Sequence, residues 1–275
     1  MEQSSHPIGV FDSGFGGLAV LQSIEKKLPR YDYLYLGDNA RTPYGSRSFD
    51  TVYQYTLQAV EYLVSRGCRL VIIACNTASA RALRTIQQRD LPRMAPGLRV
   101  LGVIRPTTEI VGTFTRSGHV GVLATQGTVS SLSYPIEISH FFPRLEIFQH
   151  ACPMWVPLVE NGEAGGPGAD YFVKKDLDIL FGLSGAIDTI VLGCTHYPLL
   201  LGKISHFLPK PCILLSQGEI VARSLADYLV RHPEVEAGCT RGGTRTFLTT
   251  DSPETFDRLG SLFFGAPLAS SQIFL

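Results

Sequence analysis

The chain predicts an α/β fold of two pseudosymmetric parallel-sheet lobes with an active site in the cleft between them. Three observations predict it. Short aliphatic runs alternate with segments of helical period, the signature of parallel strands joined by crossover helices. The strand–helix pattern restarts partway along. Two segments, VIIACNTAS around Cys75 and IVLGCTHYP around Cys194, repeat one design: an aliphatic run, a small residue, a cysteine, then small polar residues. An apolar run that stops at a polar cluster reads as a buried strand ending at a loop. In an open α/β sheet, ligands collect at such carboxyl ends.

The elements follow in order. PIGVFDSGFGG reads as a strand and a glycine-rich loop, and LAVLQSIEKKL as a helix with Leu18, Leu21, Ile24 and Leu28 on one face. YDYLYLGD is a strand closing on Asp38. SFDTVYQYTLQAVEYLVSRG is an amphipathic helix ended by Gly67. CRLVIIAC is a strand, and TASARALRTIQQR the helix after it. RVLGVI and HVGVLAT are strands, with a helix opening at Gly127-Thr128, and RLEIFQHAC is a strand ending at Cys152. GEAGGPGAD predicts an exposed loop ahead of a helix around YFVKKDLDILFG. AIDTIVLGC is a strand, and Tyr197-Pro198 opens a helix. CILLSQGEIVARSLADYLV and RTFLTTDSPETFDRLGSLFFG each read as strand then helix.

The restart is an internal repeat. Gly9-Val10 matches Gly121-Val122, Asp38 matches the neighbourhood of Cys152, and Cys75 matches Cys194. The offset drifts slowly, from 112 to 119 residues, as two related lobes with loop insertions require. The period is too long for a solenoid. The expected division is 1–99 with 211–275 in a first lobe and 100–210 in a second.

Composition narrows the function. The chain has 275 residues, 45% of them hydrophobic, and 24 basic side chains balance 24 acidic ones. That balance offers no electrostatic footprint for nucleic acid. No apolar run reaches the ~18 residues of a membrane span. The start, MEQSSHPIGVFDSG, lacks the pattern of a secretory signal. Six cysteines without a C-x-x-C pair fit a reducing cytoplasm better than a disulfide framework. No His/Cys pair has zinc-finger or H-E-x-x-H spacing, so no metal is expected.

The paired cysteines suggest acid/base work on both faces of one carbon, which is racemisation or epimerisation. The thiolate is the active form, and a helix N-terminus favours it. Both Cys75 and Cys194 are expected beside such an N-terminus. Asp12, in DSGFGG, is suited to hold an ammonium group or orient an acid/base partner, or, with Ser13, to cap the next helix. The loop lacks both phosphate-loop and dinucleotide spacing. Arg41-Thr42-Pro43-Tyr44-Gly45-Ser46 is a turn that either contacts substrate or simply lies on the surface. His196 is a candidate acid/base partner for Cys194. Cys68, Cys212 and Cys239 read as core.

Taken together, DSGFGG, PYG at 43–45, ACNTAS, ACP followed by VPLVENG at 151–162, and GCTHYPLL resemble the glutamate racemases. The motifs stand in that family's order and span most of the chain. The resemblance implies cofactor-independent interconversion of L- and D-glutamate, with Cys75 acting on D-glutamate and Cys194 on L-glutamate. It implies that Asp12, His196 and Glu160 assist the thiols. Asp12, Ser13, Tyr44, Gly45, Asn76, Thr77, Thr195 and His196 would bind the substrate. It further implies a bacterial cytoplasmic homodimer that supplies D-glutamate for peptidoglycan. Arg105 and Thr107, in LGVIRPTTEIV, depart from the family's usual residues. The rival readings are a sister racemase acting on aspartate or a hydantoin, a non-catalytic binding module for an acidic amino acid, and a thiol redox switch.

Overall fold

The computed structural model describes residues 6–94 and 97–275. The first residues of the N-terminal segment read above, MEQSS, lie outside the described residues. The chain divides into two compact units, one ending at Val103 and resuming at Gly218, the other Ile104–Gln217.

The first unit holds a six-stranded sheet built from β1 (Ile8–Asp12), β2 (Tyr33–Gly37), β3 (Leu70–Ile73), β4 (Arg99–Gly102), β9 (Arg245–Thr249) and β10 (Ser270–Gln272). Their order is β10-β9-β2-β1-β3-β4, and every pairing is parallel. β1, β2 and β3 are buried along their whole length, as expected of central strands covered on both faces. Helices α1 (Gly17–Lys27) and α2 (Phe49–Ser65) follow β1 and β2. α2 is capped by Ser48, whose Oγ accepts from the Thr51 N–H, and buries Val52, Thr56, Ala59, Val60 and Leu63 along one stripe.

The second unit holds a four-stranded parallel sheet of β5 (His119–Ala124), β6 (Glu146–Ala151), β7 (Thr189–Gly193) and β8 (Ile213–Leu215). The order is β6-β5-β7-β8, against β2-β1-β3-β4 within the first sheet. The repeat read from the sequence is therefore a repeat of topology. β1 and β5 occupy the same central place, β2 and β6 one side, β3 and β7 the other.

The matched glycines show why. A Cβ on Gly9 would meet Leu63 Cδ1 at 3.3 Å and Cys68 Sγ at 3.1 Å. On Gly121 it would meet Leu180 Cδ2 at 2.9 Å and Ile187 Cγ2 at 3.3 Å. In each sheet the helix leading into the third strand rests on a bare spot of the central strand.

Four details differ from the sequence reading. β4 hydrogen-bonds β3, so RVLG belongs to the first sheet, and β8 hydrogen-bonds β7, so ILL belongs to the second. Both are edge strands, whose partner the sequence pattern does not name. The segment after Cys75 is not one helix. α3 (Asn76–Arg81) ends at Ala82, a short turn follows, and Ile86–Asp90 is a wider π-type turn. Side-chain ties hold this segment: Gln87 Nε2 donates to the Val100 carbonyl at 2.8 Å, and Tyr53 Oη donates to Asp90 at 2.8 Å. GEAGGPGAD is largely structured. Glu163–Gly165 forms a 3-10 turn, and the helix Pro167–Leu183 starts on the proline, whose fixed φ and missing N–H suit a first helical position. Finally β10 was unannounced, because Ser-Ser-Gln carries no apolar alternation.

Candidate active site

In the first unit the carboxyl ends of β1, β2 and β3 gather the polar residues singled out above. Asp12 ends β1 and is fully buried, its Oδ2 accepting from the Gly14 N–H at 2.9 Å. Gly17 of α1 lies flat against it; a Cβ there would fall 2.5 Å from the Asp12 Cβ. Cys75 follows β3 and caps α3, its sulfur accepting from the Ala78 N–H at 3.4 Å. That donor and the helix end both favour negative charge on sulfur. Ser13 Oγ lies 3.3 Å from Cys75 Sγ. Asn76 and Thr77 open α3 and are buried.

The 43–45 turn is not a bare surface feature. Tyr44 is 1% exposed, and its hydroxyl donates to Asp38, at the end of β2. Asp38 also accepts from Arg41 Nε at 2.7 Å and Thr250 Oγ1 at 2.8 Å. Burial and the Asp38 charge hold the Tyr44 phenol far above its ordinary pKa, so it is a neutral donor. Gly45 follows, half-buried.

In the second unit Cys194 follows β7 and is 7% exposed. Its thiol does not cap the next helix. His196 stands at the N-cap of a 3-10 turn, Tyr197–Leu200, and the Cys194 carbonyl accepts from the Tyr197 N–H. Cys194 Sγ lies 3.9 Å from His196 Nδ1, and His196 Nε2 lies 3.0 Å from Glu160 Oε1. Glu160 ends the helix Trp155–Glu160. Thiol, imidazole and carboxylate thus stand in line. Burial disfavours the imidazolium, but hydrogen bonds and charge from Cys194 and Glu160 outweigh it and raise the His196 pKa to about 10. Thr195 Oγ1 lies 3.4 Å from the same Nδ1.

Two further groups were not found by reading the sequence. Tyr134, fully buried, sets its ring edge against Gly193, where an added Cβ would meet Tyr134 Cε2 at 3.1 Å. Its hydroxyl accepts from Gln217 Nε2 at 2.9 Å, and Gln217 also donates to Thr107 Oγ1 at 3.3 Å. Thr107, singled out only as an unusual residue, is thus part of the support beneath the Cys194 loop. The second group is His150, Cys152 and Asp176. Each offers one donor atom, and the three atoms lie within 4.8 Å of one another. A search for metal spacing misses it because the acid stands 24 residues beyond the cysteine.

Residues 8–217 match the model of the Asp/Glu/Hydantoin racemase family. The chain is 41% identical over 261 residues to a glutamate racemase of Geobacter metallireducens, covering 95% of this chain and 93% of that one. Its fold matches the crystal structure of a glutamate racemase isoform from Bacillus anthracis with a TM-score of 0.89, at 32% identity and 99% coverage of both chains. It matches the glutamate racemase of Francisella tularensis, solved in complex with D-glutamate, with a TM-score of 0.87, at 30% identity and covering 99% and 98% of the two chains. On sequence and fold alike, the chain belongs to the Asp/Glu/Hydantoin racemase family.

Proposed function

We propose that this isomerase interconverts L- and D-glutamate without a cofactor, using Cys75 and Cys194 as its two bases. One observation carries the reading: each unit ends the third strand of its repeat in a buried thiol that has its own polar partner. Ser13 stands by Cys75, and His196 backed by Glu160 stands by Cys194. The relatives named above, all glutamate racemases, support the choice of substrate.

The chemistry asks for this equipment. A Cα–H is a weak acid, so its removal needs a positioned base and stabilisation of the charge that develops. One thiolate takes the proton while the opposite thiol gives one to the other face, which inverts the centre without turning the substrate over. Cys75 deprotonates D-glutamate and Cys194 L-glutamate. His196, held cationic, stabilises the Cys194 thiolate and supplies a proton when that sulfur acts as acid. Asp12, a carboxylate rather than a cation, assists Cys75 by taking up the proton the thiol releases and returning it when that sulfur acts as acid. Ser13, Tyr44, Gly45, Asn76, Thr77 and Thr195 hold the ammonium and carboxylate groups. The product serves peptidoglycan synthesis in a bacterial cytoplasm, and the working form is a homodimer.

The test is exchange at Cα. The protein is incubated with each glutamate enantiomer in D2O, and deuterium incorporation and optical rotation are followed for wild type, Cys75→Ser and Cys194→Ser. Racemisation by wild type, lost in both variants, is the expected result. Exchange with aspartate but not glutamate would move the chain to a sister activity. No exchange with any acidic amino acid would leave only a binding role.

A further inference from the structure

We infer that His150, Cys152 and Asp176 form a binding site for a borderline-soft divalent cation of the zinc class, separate from the racemase chemistry. His150 and Cys152 flank Ala151 where β6 ends, and period-two alternation turns both side chains to one face. Asp176 reaches them from the helix Pro167–Leu183, which packs on β6.

The donors suit such an ion. His150 Nε2 lies 3.0 Å from Asp176 Oδ1, and all three donor atoms fall within 4.8 Å. Thiolate sulfur, imidazole nitrogen and carboxylate oxygen make the mixed set that zinc takes in tetrahedral sites. Two anionic donors and one neutral donor balance a 2+ charge.

The site also carries an unmet need. The Asp176 side chain is 6% exposed, and beyond His150 the donor offered to its carboxylate is the Cys152 thiol, a weak one that leaves Oδ2 poorly satisfied. A buried carboxylate oxygen left so is costly, and a cation satisfies it directly. Cys152 is 1% exposed, whereas the His150 side chain is 19% exposed and leaves a way in. On binding, the Cys152 thiol releases its proton to water as the metal–sulfur bond forms. His150 gives up its hydrogen bond to Asp176 and donates its lone pair, and a water fills the fourth position. Nothing is oxidised. Tyr197 Oη donates to the Cys152 carbonyl at 3.2 Å, so an ion here sits one hydrogen bond from the Cys194 loop.

The test uses cadmium, whose bond to a thiolate absorbs in the ultraviolet. The full chain carrying Cys75→Ser, Cys194→Ser and Cys212→Ser, which removes the two thiols of the proposed active site and the partly exposed one, is titrated with Cd2+. One equivalent should raise the charge-transfer band, and Zn2+ should displace it. Adding Cys152→Ser should abolish the band. His150→Gln, a mild change at a partly exposed position, should weaken Cd2+ binding at least about tenfold, the cost of losing even an outer partner of a metal ligand. Circular dichroism checks that both variants keep the fold, and the glutamine variant carries the test should the serine variant not fold. A band that survives Cys152→Ser, or equal affinity in a folded His150→Gln protein, overturns the site.

Discussion

At the residue scale, His196 is the group whose environment says most. It is 5% exposed, yet its pKa is raised rather than lowered, because Glu160 and Cys194 flank its two nitrogens. The sign of the linkage follows. A histidine whose folded pKa lies above its unfolded value of about 6.5 adds stability that is complete below that value. The contribution fades as pH climbs through the folded value, about 10. The stability gap between wild type and His196→Gln, read from urea melts, should therefore narrow steadily between those limits; a gap that widens with pH would show the imidazole is neutral. Activity should fall roughly 10²- to 10⁴-fold in the same variant, the usual cost of losing an acid/base group. Tyr44 makes a contrasting case. Tyr44→Phe removes the donor to Asp38 while keeping the packing, at a cost of about 1.5–3 kcal/mol for a hydrogen bond to a charged group. If the 43–45 turn holds substrate, KM should rise more than kcat falls. The histidine was legible in the chain because it stands two positions from the thiol. The Tyr44–Asp38 bond was not, since only folding brings a turn residue back onto the strand end before it.

At the element scale, the repeat was the most legible feature and the ends of the sheets the least. Gly9 and Gly121 could be matched from the sequence because a bare Cα on a central strand answers to a helix that must come close. The expected boundaries at 99/100 and 210/211 separate most of β4 and all of β8 from the strands they pair with, because an edge strand is recognised by its partner, and a run such as RVLG or ILL pairs equally well with either sheet until the crossovers are traced. The Gly9–Gly121 equivalence can be tested by substitution. Alanine at Gly121 places a Cβ 2.9 Å from Leu180 Cδ2, and at Gly9 one 3.1 Å from Cys68 Sγ. Each should destabilise by about 1–3 kcal/mol, the range for overpacking. Gly182, on the exposed face of the helix Pro167–Leu183, meets nothing within 4 Å. Gly182→Ala should instead stabilise by about 0.5–1 kcal/mol. Thermal melts of the three variants separate the readings: similar melting points would mean that close helix approach is not what keeps the strand glycines bare.

At the scale of the whole molecule, the proposed reaction imposes a constraint that no local change can escape. Each unit brings one thiol, and the two exchange roles when the direction reverses. L- and D-glutamate are mirror images with equal free energy in water, so their equilibrium constant is one. The ratio of kcat/KM for the two directions must equal that constant in wild type and in every variant. Damage to one unit therefore cannot slow one direction alone as measured by kcat/KM. Glu160→Gln, which alters only the partner of His196, should lower kcat/KM for L- and for D-glutamate by the same factor, while kcat and KM individually move apart between the directions as bound states gain or lose stability. The same equality should hold for Gln217→Leu, which takes away the donors to Tyr134 and Thr107 beneath the Cys194 loop. Initial rates from each enantiomer, taken over a range of concentrations, test it. A ratio that departs from one in either variant would mean that the measured activity is not inversion of a single centre, and the assignment of Cys75 and Cys194 to opposite faces of one carbon would fall with it.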